Sequence, residues 1–222
     1  MRVHHDWLLT PERAIIHLPT ATAVIADLHL GYDQARQRGG EAVPSFSLHD
    51  TVAALRRLLV RHNARSLVIA GDLCEDAVGV DLLPDLLTEL TNAQVELAGV
   101  VPGNHDHGLR RNPHGMPLCP TGIQLGGWRV VHGDGKLPRG RLVHGHFHPC
   151  LRWRGGITAA CYLYSVTRIV LPAFSPDAAG ANALRNERWR GYRCCAIAED
   201  RVLDFGSVAA LQRRWRLSAR SR

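Results

Sequence analysis

Short apolar runs, each closed by glycine, aspartate or proline, recur along this chain and limit it to a protein built on sheets. They are TAVIAD (22–27), SLVIAGD (66–72), VELAGVVPG (95–103), WRVVHGD (128–134), RLVHGH (141–146), RIVLP (168–172) and YRCCAIAED (192–200). Runs of this length bounded by turn residues read as buried strands. Helical periods lie between the early ones. SLHDTVAALRRLLVRHN puts Val52, Leu55, Leu58 and Leu59 on one face, with Ser47 or Asp50 as cap. GVDLLPDLLTELTN repeats Leu82, Leu83, Leu86, Leu87 and Leu90. From about Ile123 onward, strand follows strand with short connections. The expected fold class is therefore α/β, with two packed mixed β-sheets flanked by helices. A length of 222 residues fits a single domain, 1–211, followed by the run QRRWRLSARSR (212–222), read as a frayed basic C-terminal tail.

Composition narrows the setting. No N-terminal stretch joins a positive flank to a long apolar run, and GITAACYLYSVTRIVLPAFS is interrupted by Arg168 and Pro172, so neither export nor a membrane span is expected. The six cysteines form no C-x-x-C pair and read as reduced thiols of a cytoplasmic protein, Cys74 among them as a small buried hydrophobe. The net charge of +7 comes from arginine, since Lys136 is the only lysine. Arginine suits bidentate contact with phosphate, which points to an anionic substrate or polymer.

Five of the strand ends carry groups able to bind metal: Asp27 and His29 in ADLHLGY, Asp72 in AGDLCED, Asn104 and His105 in PGNHD, His132 in VVHGD, and His146 and His148 in HGHFHP. In open α/β sheets ligands bind in the crevice beyond the carboxyl ends of the strands, where such loops converge. In an extended segment residues i and i+2 point the same way, so Asp27 with His29, and His146 with His148, are each expected to clamp one centre. Gly71, Gly103 and Gly145 precede ligand positions, where a missing Cβ permits a sharp turn and close approach. Setting His105 aside, two aspartates, one asparagine and four histidines exceed what one tetrahedral ion needs. They suit two divalent ions roughly 3.5–4 Å apart that share a carboxylate. Imidazole with carboxylate suits Mn(II), Fe(II), Co(II), Ni(II) or Zn(II), and ligand type does not choose among them; Mn(II) is kept as the expected ion.

The set D-x-H, G-D, G-N-H-D, H-G and G-H-x-H, running in this order from Ile25 to Pro149, resembles the calcineurin-like metallophosphoesterase superfamily. The resemblance implies a four-layer α/β/β/α sandwich. It implies that Asp27, His29, His148 and Asp72 hold a first ion, that Asp72 bridges to a second, and that Asn104, His132 and His146 complete the second. His105 is implied to stay unligated, to face the substrate, to stabilise phosphoryl charge and to protonate the leaving oxygen. In related enzymes an acidic residue three positions after the bridging aspartate braces the catalytic histidine. Glu75 holds that place, with Asp76 beside it and Asp106 as another candidate. His144 has no matched ligand role and reads as a packed or supporting residue. His4, His5, His49, His107 and His114 read as ordinary side chains.

Within the superfamily, ADLHLGY followed by QARQRGGEAVP, together with LPAFSP (171–176), is similar to the SbcD-related phosphoesterases and the bacterial ligase-associated DNA damage response endonucleases. The D-R-G and G-N-H-E motifs of protein Ser/Thr phosphatases are missing. The short stretch GDGKLPRG between His132 and His146 is expected to form a hairpin-like turn and to leave the site open. The resemblance thus implies an endonuclease-like phosphodiesterase acting on nucleic acid, with DNA ligase or helicase pathway partners. Trp215 between Arg214 and Arg216 is expected to add base stacking. The alternatives are a hydrolase of a small diester or pyrophosphate, such as a nucleotide or lipid precursor, and an inactive metal-binding scaffold.

Overall fold

In the computed structural model all residues are described except 46–47, 76, 177, 179 and 221–222, with the side chains of 78 and 218–220 also set aside. Two sheets carry the chain. The first holds β1 (Arg2–Val3), β2 (Trp7–Leu9), β3 (Ile15–His17), β4 (Thr22–Ile25), β5 (Ser66–Ala70) and β6 (Glu96–Val101), side by side in sequence order. Its first four strands are antiparallel, and β4, β5 and β6 are parallel. The second holds β7 (Ile123–Leu125), β8 (Trp128–Val131), β9 (Arg141–His144), β10 (Pro149–Arg152), β11 (Thr158–Tyr164), β12 (Arg168–Val170), β13 (Ala181–Asn182), β14 (Arg193–Ala198) and β15 (Arg201–Ser207). In it β8, β9 and β12 run parallel, while β14 joins β11 to the edge strand β15.

The helices are α1 (Tyr32–Arg38), α2 (Leu48–His62), α3 (Ala77–Asp81), α4 (Leu83–Asn92), α5 (His107–Arg111) and α6 (Val208–Arg220). The apolar face expected of α2 is buried, but Asp50 lies in its first turn rather than at a cap, and Ser47 lies outside the described residues. Among the described residues no helix is long and apolar enough to cross a membrane.

Strand alternation builds the layers. In β4 and β5, Ala23, Ile25, Leu67 and Ile69 pack towards α2 and α4, while Val24 and Val68 meet Val130, Val143 and Ile169 of the second sheet. On the far side of that sheet Cys161, Leu163, Val170 and Cys194 pack against Val208 and Leu211 of α6. The result is the expected four-layer sandwich. Cys74 is fully buried in the first core.

Two expectations are corrected. GDGKLPRG is not a hairpin turn, because β8 and β9 pair in parallel, Trp128 opposite Arg141 and Val131 opposite His144. The chain must run back along the sheet within that stretch, and this sends both strands towards the same edge. The segment read as a frayed tail continues α6 as helix through Arg220. Its cause is a buried stripe at helical spacing, Val208, Leu211 and Gln212, with Trp215 half-buried one turn on.

Candidate metal centre

The parallel strands β4, β5, β6, β8 and β9 all deliver polar residues just beyond their carboxyl ends. Backbone hydrogen bonds then stitch the loops together. Asp27 N–H donates to Gly71 O at 3.0 Å, His29 N–H to Asp72 O at 2.8 Å, and Gly145 N–H to His132 O at 3.0 Å. Local conformation differs from the extended form expected of these motifs. Asp27 (φ 57°), His29 (φ 50°), Asp72 (φ 44°), His146 (φ 70°) and His148 (φ 42°) are all left-handed. That conformation costs an L-residue about 1–2 kcal/mol, and such strain persists where surrounding structure enforces it. The kinks also decide the pairing. Asp27 and His29 turn into one cluster, whereas His146 and His148 part company and enter different ones, contrary to the expectation that each pair clamps one centre.

The first cluster is Asp27, His29, Asp72 and His148, and the second is Asp72, His132 and His146, with the atoms of each within 4.8 Å of one another. Asp72 belongs to both. His29 Nε2 stands 3.4 Å from His148 Nε2, and His148 Nε2 stands 3.5 Å from Asp27 Oδ2. His132 Nε2 lies 3.3 Å from Asp72 Oδ2 and 3.1 Å from Asn104 Oδ1. Two donors each about 2.1 Å from one cation, at angles between square and tetrahedral, sit roughly 3.0–3.4 Å apart. The spacings found are close to the edges of such coordination polyhedra, so the residues present fit divalent ions. No cysteine contributes among the described residues.

Three glycines make this convergence sterically feasible. A Cβ on Gly71 would overlap the His132 ring, one on Gly103 would overlap the Asp72 carboxylate, and one on Gly145 would lie 2.5 Å from Asp27 Oδ2. Of the three, only Gly71 has a positive φ. Close approach of another motif's side chain, more than turn formation, is therefore what these positions require.

The electrostatics follow from burial and proximity. Burial opposes the charged form of Asp72, yet the hydrogen bond and charge of His132 outweigh it and hold the carboxyl at about 2. Burial likewise pushes His132 down, but Asp72 and Asp27 prevail and raise it to about 9. His146 is lowered, by burial and then by the neighbouring His132 charge. His144, walled in beside Gly133, is lowered by burial to about 4, and its Nδ1 hydrogen-bonds the Gly145 carbonyl at 3.1 Å.

His105 stands at the mouth. Its backbone N–H donates to Asp72 Oδ1 at 2.9 Å, while its side chain is 38% exposed. Glu75 is the acid beside it. Glu75 Oε2 is 2.7 Å from His29 Nδ1 and 3.6 Å from His105 Nδ1, and its backbone carbonyl is 3.3 Å from the same nitrogen. The His29 contact lowers the Glu75 carboxyl. Asp106 braces the loops instead. Fully buried, it accepts from the N–H groups of Leu73, Cys74 and Gly103, and burial raises its pKa. Asp76 lies outside the described residues. Two neighbours were not among the expected site residues. The Phe147 ring packs edge-on to His146 at 4.9 Å under the Arg188 guanidinium, and Arg13 donates to Ser175 O at 2.9 Å.

Residues 21–177 match the family model of the calcineurin-like phosphoesterases. Among curated proteins none matches the sequence. The crystal structure of Pseudomonas putida nuclease MPE superposes with a TM-score of 0.70 at 19% identity, covering 92% of this chain and 98% of that chain. At that identity the likeness speaks for the fold. The family match spans well over half of the chain and takes in every strand end described above, so the chain belongs to the calcineurin-like phosphoesterase family of metal-dependent phosphoester hydrolases.

Proposed function

We propose that this chain hydrolyses phosphodiester bonds in nucleic acid, in the manner of an endonuclease, at a centre of two divalent ions. Asp27, His29, His148 and Asp72 hold the first ion, and Asp72, Asn104, His132 and His146 hold the second. The observation that carries the reading is the Asp72 carboxylate, common to both donor clusters and 2% exposed, with a half-exposed histidine anchored directly above it. When bound, the ions orient the phosphoryl group and lower the pKa of water for in-line attack. His105 does the proton work. The Glu75 carbonyl accepts its Nδ1–H, which leaves Nε2, on a side chain 38% exposed, as the nitrogen to stabilise phosphoryl charge and protonate the leaving oxygen. Mn(II) is the ion we assign to this imidazole and carboxylate set.

The likeness to a nuclease structure and the arginine excess support a polynucleotide over a small ester. We place the protein in the cytoplasm, in keeping with six cysteines that form no disulfide, and in a pathway shared with a DNA ligase or helicase. The test is parallel turnover of bis-p-nitrophenyl phosphate, p-nitrophenyl phosphate and single-stranded DNA by Mn(II)-reconstituted protein. Cleavage of the first and third is expected. Turnover of p-nitrophenyl phosphate alone would assign a monoesterase, and no turnover of any of them would leave a metal-binding scaffold.

A further inference from the structure

Two hollows border the first donor cluster, one lined by His29 and the other by His148. On the His29 side, α2, the start of α1 and the loop at 174–176 enclose a groove of about 1200 Å³. A smaller hollow of about 230 Å³ opens on the His148 side. Arg13 and Pro176 line both. The two histidines have ring nitrogens 3.4 Å apart, so the hollows meet over one donor cluster with Arg13 at the junction. Arg13 is fixed there. Its backbone is left-handed (φ 61°), its Nη1 donates to Ser175 O, and the Ser175 N–H donates to Asp27 O at 3.3 Å. Two hydrogen bonds thus tie this guanidinium to a ligand loop, with the kind of backbone strain that collects at functional positions.

The wall of the larger groove is the outer face of α2, where Ala53, Ala54, Arg57 and Arg61 recur at helical spacing. The alanines leave room between the charges. Arg61 pairs with Glu12 at 2.7 Å, whereas no carboxylate among the described residues pairs with Arg57. Arg152, in the smaller hollow, likewise has no carboxylate partner among them. The floor is apolar and aromatic, with Leu30, Tyr32 and Phe174. Guanidinium groups for phosphates above a floor that receives ring faces meet the needs of a single strand. An acyl-bearing diester would use the apolar floor too, but it has one charged head. It gives no reason for arginines on both sides of the centre.

We propose that the two hollows form one track on which a single-stranded polynucleotide crosses the centre with chain on either side, so that internal bonds are cut and no free end is needed. This rests on the nucleic-acid reading above and adds where the chain lies. The test uses the Mn(II)-loaded full chain. Affinity for a hydrolysis-resistant phosphorothioate single strand is measured across salt for wild type, Arg57→Glu, Arg152→Glu and the off-track control Arg201→Glu, and cleavage of circular single-stranded DNA is followed alongside. Arg57→Glu and Arg152→Glu should each weaken binding about 10-fold and flatten the salt dependence by roughly one power or more, with Arg201→Glu changing affinity by less than about 2-fold. The wild type should open the circles. Wild-type affinity in both track variants, or an equal loss in Arg201→Glu, overturns the track while the nuclease reading stands. Cleavage of linear strands only overturns the through passage. A wild type that turns over bis-p-nitrophenyl phosphate yet neither binds nor cuts polynucleotide overturns the nuclease reading, and the track with it.

Discussion

The floor of the metal centre and its rim use the same side-chain types under opposite physical conditions. Asp27, Asp72 and His132 on the floor are 0%, 2% and 3% exposed, gripped by glycine contacts and loop-to-loop hydrogen bonds. His105, His146 and His148 on the rim are partly open to solvent. Two histidines of one donor cluster therefore move in opposite directions, His132 up to about 9 between buried carboxylates and His146 down beside it. Depth separates donors held wholly inside the protein from donors, and one unligated histidine, that also meet solvent. If so, substitution of any donor, His146 and His148 on the rim included, should cost metal and activity together, whereas substitution of the unligated His105 should cost activity alone.

The largest effect should come from Asp72→Asn, which weakens a donor shared by both clusters. Metal content and turnover should fall together, by more than the roughly 10–100-fold that loss of an outer hydrogen-bonding partner costs. Two ions retained per chain in the purified variant would break the division at its deepest point. On the rim, His105→Ala should keep both metals and the fold yet lower diester turnover by roughly 10²-fold or more, the scale of a lost general acid. A substrate with a better leaving group should suffer less. Metal analysis checks the assignment, since loss of an ion in this variant would make His105 a ligand.

A third substitution probes the floor without touching a donor. Gly145→Ala would set a methyl 2.5 Å from both Asp27 Oδ2 and the Ala26 Cβ. Because Gly145 has no positive φ, the strain is one of contact and falls on the Asp27 carboxylate and the Ala26 methyl together. We expect metal affinity to drop by about 10–100-fold, as for other supports one layer behind the ligands, and the overpacked methyl to lower the stability of the metal-free protein by about 1–3 kcal/mol as well. A titration showing wild-type affinity would mean that the loop yields and that the glycine contact is not what grips Asp27.

How far the sequence reveals this division depends on the range of the contacts involved. Strand ends were legible because an apolar run closed by aspartate, glycine or histidine is local chemistry, and the eight site residues stand at such ends. The left-handed kinks were not, since Asp27, His29 and His148 are driven into them by loops that meet only in three dimensions. Nor was the parallel pairing of β8 with β9, where a short connection read as a hairpin and the sheet's packing decided otherwise. Arg13 stands in no motif, and its partner Ser175 is 162 positions away. In α6 the signal was present but masked. Val208, Leu211, Gln212 and Trp215 keep helical spacing beneath a run of arginines that reads first as a solvated tail.

The smallest effect concerns those arginines, and it extends the contrast from the centre to the surface. Along α2, Arg57 faces a groove with no carboxylate partner among the described residues. In α6, Arg216 is paired with Glu187, and the Trp215 ring lies under the guanidinium groups of Arg154 (5.1 Å) and Arg185 (5.8 Å). In the structure Trp215 packs within the protein, against the core between α6 and the second sheet and beneath two guanidinium groups. Gln212 also hydrogen-bonds the Asn186 carbonyl at 3.1 Å, so a deletion starting there would remove core contacts along with charge. Truncation after Leu217 is the clean test. It removes Arg220 and Arg222 while leaving the buried stripe, and stability should stay within about 0.5 kcal/mol of the full chain. Affinity for single-stranded DNA and turnover of bis-p-nitrophenyl phosphate should each change by less than about 2-fold, with a parallel salt slope. A tenfold loss with a flattened slope would transfer part of the polynucleotide contact from α2 to the end of α6, because charge removal far from the centre can act on the polymer only through its phosphates.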